Sequence, residues 1–536
     1  MASKTAKRIG IVIGILVLII IALGAYFFSQ LPKPQGKPIV LQQELFKKPE
    51  KDFPFTGKFI YKSAAELHQM LVSHEATSVQ IVTDFINNIK NNNYKYCALI
   101  YLREAEALDE AKKADEAIAA GDTSRVLLGV PVTIKEHYWV KGSPCTMNAK
   151  MFGFTAYENA PIVEEIKKSG AIILGTTNVP FMLGDWQTQG EVYPTASNPY
   201  DTTRSPGGST GGGGAALAAG FTTLELGSDL GGSVRVPSAF CGLWGLKTTF
   251  GSLNVTEETS PDTVNSNKRF ALNTAGPLAR NPEDLETLWN IMRTCKIDER
   301  FQTKTEWQAA SNKNLNDYKF AWIDDWKRGT GSLKVSDDVK EKLAVLLDSL
   351  KTKGAMVEKD APDMYDEMLK SFLQSYASII AEKQNWVMRK LIGMSFKKLD
   401  DGTPVFQSFF EAMNDGSDEQ WQKISAERKS VSDKFQQLFT KHDFLICAVT
   451  YGEAIKKCPQ GSAINAYGAT IPYAQYFPYT YIFNPTGNPS LVVPLGLNKN
   501  GMPIVVQIVG PLNSEPELLH LAKLLKPITP GFVKPK

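Results

Sequence analysis

The alternation of apolar and polar positions divides the chain into three stretches. Ile9 to Phe28 (IGIVIGILVLIIIALGAYFF) is an uncharged apolar run of twenty residues. At about 1.5 Å per residue, a helix of that length spans roughly 30 Å, the hydrocarbon thickness of a bilayer. Residues 1–30 are therefore expected to form a single-pass, N-terminal membrane anchor. A second reading is a signal peptide cleaved near Ala22-Leu23-Gly24, which would give a secreted or periplasmic protein. Lys4, Lys7 and Arg8 precede the run and Lys33, Lys37, Lys47 and Lys48 follow it, so basic residues flank both ends and leave the orientation open. Residues 31–58 are rich in proline, lysine and polar side chains and read as an extended linker.

A folded body runs from Phe59 to about Ile528. Ser63 with Glu66, and Thr77 with Gln80, have capping-box spacing and predict two helix starts. Arg103 to Ala120 reads as a third helix, stopped by Gly121. The period then changes. Val126 to Lys135 (VLLGVPVTIK) is a nearly continuous apolar run with β-branched residues, as expected of a strand buried on both faces, and it ends in lysine. Helix Ile162–Lys168, strand Ala171–Leu174, helix Ala215–Ala219 and strand Phe221–Leu226 follow in turn. This alternation predicts an α/β fold with a large mixed, mostly parallel sheet between helices, polar groups gathering at strand ends. From about 295 to 442 the chain is more polar and reads as a helical insertion, with helices over Val339–Leu350 and Met368–Ile392. Trp386, Val387, Met388, Leu391, Ile392, Met394 and Phe396 form an apolar cluster there, read as core packing or as a membrane-facing or substrate-entry surface. Asp443–Val449 returns to strand, and Leu491–Leu495 with Ile504–Val509 flank the hairpin signal Asn500-Gly501.

Composition narrows the function classes. The 59 basic and 56 acidic residues give a net charge of +3, so no nucleic-acid partner is expected. The chain has 43% hydrophobic and 21% charged residues, ordinary globular usage. The six cysteines (Cys97, Cys145, Cys241, Cys295, Cys447, Cys458) are scattered and read as buried free thiols. With the five histidines they form no cluster at metal spacing, so neither a metal nor a cofactor is expected. The pattern fixes no oligomeric state, a homodimer included.

Chemistry concentrates in Ser205 to Phe250, SPGGSTGGGGAALAAGFTTLELGSDLGGSVRVPSAFCGLWGLKTTF. Two glycine clusters this close imply backbone that bends tightly or approaches a ligand. Both hold serines, and free N–H groups beside a hydroxyl suit acyl transfer. A phosphate-binding loop is excluded because no lysine and hydroxyl follow the last glycine. Gly207 to Gly211 matches GxSxG, but the preceding Asp201 to Pro206 is polar rather than a buried strand, against a nucleophile elbow. The remaining reading joins the serines to Lys135, since a lysine at the end of a buried strand is placed to lose its proton and act as a base.

These residues, GGSTGGGGAALAAG and LGSDLGGSVRVPSAFCGLWGLK with GVPVTIKE upstream, resemble the amidase signature family. TNVP, WQTQGEVY, FNPTGNPSLVVPLG and GMPIVVQIVG extend the resemblance from about Phe59 to near the C-terminus. It implies a serine amidohydrolase with Ser233 as nucleophile, Ser209 as the bridging serine on a cis peptide bond, and Lys135 as base. The separation of 24 residues between Ser209 and Ser233 agrees with the family spacing. It further implies an oxyanion hole from the N–H groups of Leu230, Gly231, Gly232 and Ser233, with Asp229, Arg235 and Thr210 in support. Asp229 and Arg235 have an alternative reading as a surface salt bridge. The substrate implied is a small-molecule amide. The apolar run and the string SAFCG point to a lipophilic or fatty acid amide, as in the membrane-anchored fatty acid amide hydrolases. General or peptide-amide amidases and, less readily, an amidotransferase component or a non-catalytic member are the alternatives.

Overall fold

The computed structural model of the chain describes residues 39–536 except 151–152, 256–271, 297–304, 306, 308, 329–330, 383, 385, 398–402 and 474–475. The expected anchor or signal at residues 1–30 lies outside the described residues. Among those described, no helix is long and apolar enough to cross a membrane. From Ile39 on, the linker is not the free spacer its composition predicts. The Phe53 and Thr56 N–H groups donate to the side chains of Asn91 and Asp84, and the Asn87 and Asn93 amides donate to the carbonyls of Pro54 and Leu45. The helix Ser78–Tyr96 thus satisfies an irregular backbone that has no ladder of its own. Both predicted capping boxes form, opening the helices Ala64–Val72 and Ser78–Tyr96.

One sheet of eleven strands organises the molecule. In chain order its strands are β1 (Leu99–Leu102), β2 (Pro131–Lys135), β3 (Ile172–Thr177), β4 (Leu224–Asp229), β5 (Trp244–Lys247), β6 (Thr274–Ala279), β7 (Lys319–Trp322), β8 (Met356–Lys359), β9 (Phe444–Cys447), β10 (Ser490–Leu497) and β11 (Pro503–Val509). Their spatial order is β1-β3-β2-β4-β6-β5-β10-β11-β9-β7-β8. The expectation of a mostly parallel sheet is corrected. Parallel pairing is confined to β3-β2-β4 near one end and β9-β7-β8 at the other. The centre, from β4 through β6, β5, β10 and β11 to β9, is antiparallel throughout. Continuous apolar runs report burial on both faces whatever the strand direction. Direction follows from the connections, and the tight β10–β11 hairpin permits only antiparallel pairing.

Strand alternation feeds separate apolar clusters. Ile446 and Ile508 join the cluster containing Ile134, Leu226 and Trp244, while their neighbours Leu445 and Val509 join Met368, Phe409 and Phe435 under the later helices. The stretch 295–442 is not only helical: it contributes β7 and β8 to the main sheet. The helix read over Met368–Ile392 is two helices, Tyr365–Ala381 and Trp386–Phe396. In the second, Ile392 and Phe396 pack on the core, whereas Trp386, Leu391 and Met394 are exposed.

Candidate active site

Lys135 is the last residue of β2 and is completely buried. Its Nζ donates to Ser209 Oγ at 2.8 Å and to Ser228 Oγ at 2.9 Å. The register explains the second contact. β2 and β4 are parallel neighbours pairing Thr133 with Glu225 and Ile134 with Leu226, so Lys135 and Ser228 emerge at the same carboxyl end of the sheet. Ligand sites in such sheets sit outside the carboxyl ends of parallel strands.

Ser209 follows a cis peptide bond from Gly208, as the family resemblance implies. The glycines after it, however, do not form a loop. Gly211–Ala218 is a helix, α1, buried along its length. A Cβ on Gly212 would stand 2.2 Å from Asn178 N, and one on Gly213 would stand 2.3 Å from Glu225 Oε1. The cluster is there for close approach of neighbouring chain rather than for flexibility. Thr210, just before α1, donates its N–H to the Ser233 carbonyl at 3.2 Å, tying the two glycine clusters together. Gly227 leaves room for the Thr210 methyl, since a Cβ there would lie 2.9 Å from Thr210 Cγ2.

Ser233 is partly exposed and precedes a second short helix, α2 (Arg235–Cys241). The loop carrying it is held from behind by Asp229. One Asp229 oxygen accepts from the Gly232 N–H at 2.8 Å, the other from the Val234 N–H at 3.1 Å. Arg235 pairs with the same carboxylate at 2.9 Å, and neither side chain has any exposed surface, so the surface salt-bridge reading does not hold. Arg235 also donates to the Thr480 carbonyl and to Asn484 Oδ1, and Asn484 donates to Asp229. Burial alone would raise the Asp229 pKa, but the Arg235 charge and these hydrogen bonds overcome it and hold the carboxyl well below the usual range. Gly232 departs from the expected oxyanion set, because its N–H is committed to Asp229.

Other buried groups surround the centre. Glu225 accepts from the Thr133 and Thr177 hydroxyls, and burial pushes its pKa up to about 7 against those bonds. Lys247 donates to the Thr248 and Asn488 carbonyls, and burial followed by the Arg235 charge brings its pKa down to about 7. Of the six free cysteines, five are buried and Cys458 is partly so.

The structure thus brings together Lys135, Ser209, Thr210, Asp229, Ser233 and Arg235. Sequence reasoning missed Ser228, although it lies within the quoted GSDLGGS string. The strand reading ended at Leu226 and gave no cue that Ser228 turns toward Lys135. Thr480 and Asn484 were missed as well, their only signal being Asn484's place in FNPTGNPS.

Known proteins resemble the chain in sequence and in fold. The chain is 28% identical to a glutamyl-tRNA(Gln) amidotransferase subunit of Picosynechococcus sp., over 86% of this chain and 97% of that one. Among solved structures it resembles a 6-aminohexanoate cyclic dimer hydrolase in complex with substrate, with a TM-score of 0.73 and 21% identity over 89% of this chain and 99% of that one. It also resembles a fatty acid amide hydrolase, with a TM-score of 0.71 and 19% identity over 89% and 86% of the two chains. At such identities the structural likeness speaks for the fold alone. The amidase family model matches residues 80–519, the span that holds the sheet, the Lys135–Ser209 contact and the Ser233 loop, and the chain belongs to the amidase signature family.

Proposed function

We propose that the protein hydrolyses the carbon–nitrogen bond of an amide through an acyl-enzyme on Ser233. The observation that carries this reading is the buried Lys135 amine, 2.8 Å from Ser209 Oγ and 2.9 Å from Ser228 Oγ. Unprotonated Lys135 takes the Ser209 proton while Ser209 takes that of Ser233, whose Oγ attacks the carbonyl carbon. The oxyanion is met by the N–H groups of Leu230, Gly231 and Ser233, with Gly232 bracing the loop through Asp229. Protons return along the relay to the leaving nitrogen, the C–N bond breaks, and water attacks the acyl-enzyme by the same route. Ser228 positions the lysine.

A lipophilic amide fits best, since Phe372 and Tyr481 stand beside Gly231 in the nucleophile loop. A bilayer address through residues 9–28 accords with such a substrate. The relatives named as amidotransferase components support a second reading, in which glutamine is the amide and ammonia the product. The test is a turnover screen of the purified protein on primary amides, peptide C-terminal amides, anilides, long-chain acyl amides and glutamine. Turnover of apolar amides above glutamine is expected; turnover of glutamine alone would favour the second reading, and none at all would refute both.

A further inference from the structure

The relay creates a charge that neither of its serines can balance. When Lys135 takes the Ser209 proton it becomes an ammonium, and the side chain has no exposed surface. Its contacts to Ser209 Oγ and Ser228 Oγ are to neutral hydroxyls. A charge buried without a countercharge is costly, so the transition state that forms it depends on an anion close by.

Glu225 stands beside the place where that charge appears. Side chains alternate along β2, so Thr133 and Lys135 share one face of the sheet. The Thr133 hydroxyl donates to Glu225 Oε2 at 2.5 Å. On β3 the residue in register with Lys135 is Thr177, and its hydroxyl donates to Glu225 Oε1 at 2.6 Å. The carboxylate is thus held by the hydroxyl two residues before Lys135 and by the hydroxyl directly across from it, positions roughly 5–7 Å from Lys135 on the sheet. It also faces the helix that Lys135 faces: a Cβ on Gly213 of α1 would stand 2.3 Å from Oε1, and Ser209 lies just before the same helix. Glu225 has no exposed surface.

Other charged groups around this face are engaged elsewhere. Asp229, at the end of β4, is paired with Arg235, and Glu136, after Lys135, accepts the Thr146 and Met147 N–H groups. On β6, Leu278 lies opposite Glu225, and Arg280 beyond it donates to the Leu217 and Thr222 carbonyls. The charge that acts on Glu225 is that of Lys135, which favours the ionised carboxylate against the effect of burial.

We propose that Glu225 is a positioning residue for the reaction, the buried counter-ion of the Lys135 ammonium that forms each time the relay takes a proton from Ser209. The proposal rests on the amide-hydrolase reading above. Glu225 stays ionised and accepts no proton: the proton passes from Ser209 to Lys135 Nζ and returns through Ser209 to the leaving nitrogen. The aspartate behind the histidine of a Ser-His-Asp triad supports a transient cation in the same way.

The experiment is the pH profile of kcat/KM on an apolar anilide for the wild-type protein, Glu225→Gln and Glu225→Asp. The productive form has Glu225 ionised and Lys135 unprotonated, so log kcat/KM of the wild type is expected to fall on the acid side with a limiting slope of about two, a readout that needs no variant. Glu225→Gln leaves one titrating group, and its slope is expected to be about one. Its limb should lie about one pH unit or more below that of the wild type, because no carboxylate favours the ammonium, and its plateau should fall by about tenfold or more. Glu225→Asp, which keeps the charge, should hold the limb near the wild-type position. A wild-type slope of about one throughout, or a Glu225→Gln limb that stays in place while the plateau falls, overturns the counter-ion role and leaves the hydrolase reading standing. Absence of turnover by the wild type at every pH, on this anilide and on the other amides, overturns both.

Discussion

Asp229 and Arg235 form an ion pair at 2.9 Å in which neither side chain has any exposed surface. The pair braces the loop that presents Ser233, because the same carboxylate accepts the Gly232 and Val234 N–H groups. Removing one partner of a buried pair leaves an uncompensated charge, which costs about 3–5 kcal/mol. Arg235→Ala is therefore expected to lower the unfolding free energy by that amount, read from denaturant titration, and to suppress amide turnover even where the protein remains folded. A variant as stable and as active as wild type would show that the pair does not hold the loop.

Lys135 and Ser228 separate base from positioner. Lys135→Ala removes the group proposed to deliver a proton to the leaving nitrogen and is expected to depress amide turnover by about 10²–10⁴. Ester turnover, whose leaving group needs less protonation, should fall by less. Ser228→Ala removes one hydrogen bond to the amine and should reduce amide turnover by about fivefold, in line with about 1 kcal/mol for a single bond. Steady-state kinetics on an amide and its matched ester check both. Equal losses on the two substrates would contradict the role given to Lys135.

Glu225 gives the fold a pH signature. Its pKa is raised to about 7 in the folded chain, against the ordinary value of 4.5, because it is buried between Thr133 and Thr177. A raised folded pKa means the native state binds the proton more tightly. The corresponding stability is fully present below about pH 4.5 and is lost as pH rises through about 7. Glu225→Gln, which cannot ionise, is expected to gain in melting temperature relative to wild type between about pH 5 and pH 8. A difference between the two proteins that stays constant with pH would rule out Glu225 as a source of that slope.

Much of this was legible in the sequence, and the failures have physical causes. Both capping boxes and the β10–β11 hairpin were written in local patterns and formed as expected, whereas the strand read over Val126–Lys135 forms only over Pro131–Lys135 and leaves Val126 exposed. Strand direction in the centre of the sheet was not, because burial periodicity is blind to it. Gly211 to Gly214 read as backbone that bends tightly or approaches a ligand because glycine disfavours helices, yet they open a helix in which Gly212 sits where a Cβ would meet Asn178 N at 2.2 Å and Ala98 O at 2.5 Å. Tertiary contact overrode propensity there. Ser228, Thr480 and Asn484 were invisible as site residues because their roles depend on partners distant along the chain.

The same packing makes a prediction of its own. Gly212→Ala would normally favour a helix, by about 1 kcal/mol. Here the added methyl must displace backbone rather than a flexible side-chain end, so a net destabilisation of about 1–3 kcal/mol is expected. Thermal unfolding checks the sign, and a stabilised variant would show that α1 can shift without cost.

The central claim is that Ser233, and not Ser209, makes the covalent bond to the substrate acyl group. The most direct measurement is labelling by a fluorophosphonate probe, followed by identification of the modified peptide. Wild-type protein is expected to be labelled at Ser233, and Ser233→Ala is expected to keep its folded near-ultraviolet signal while losing both labelling and amide turnover. Labelling at Ser209, or undiminished labelling of Ser233→Ala, would contradict the account.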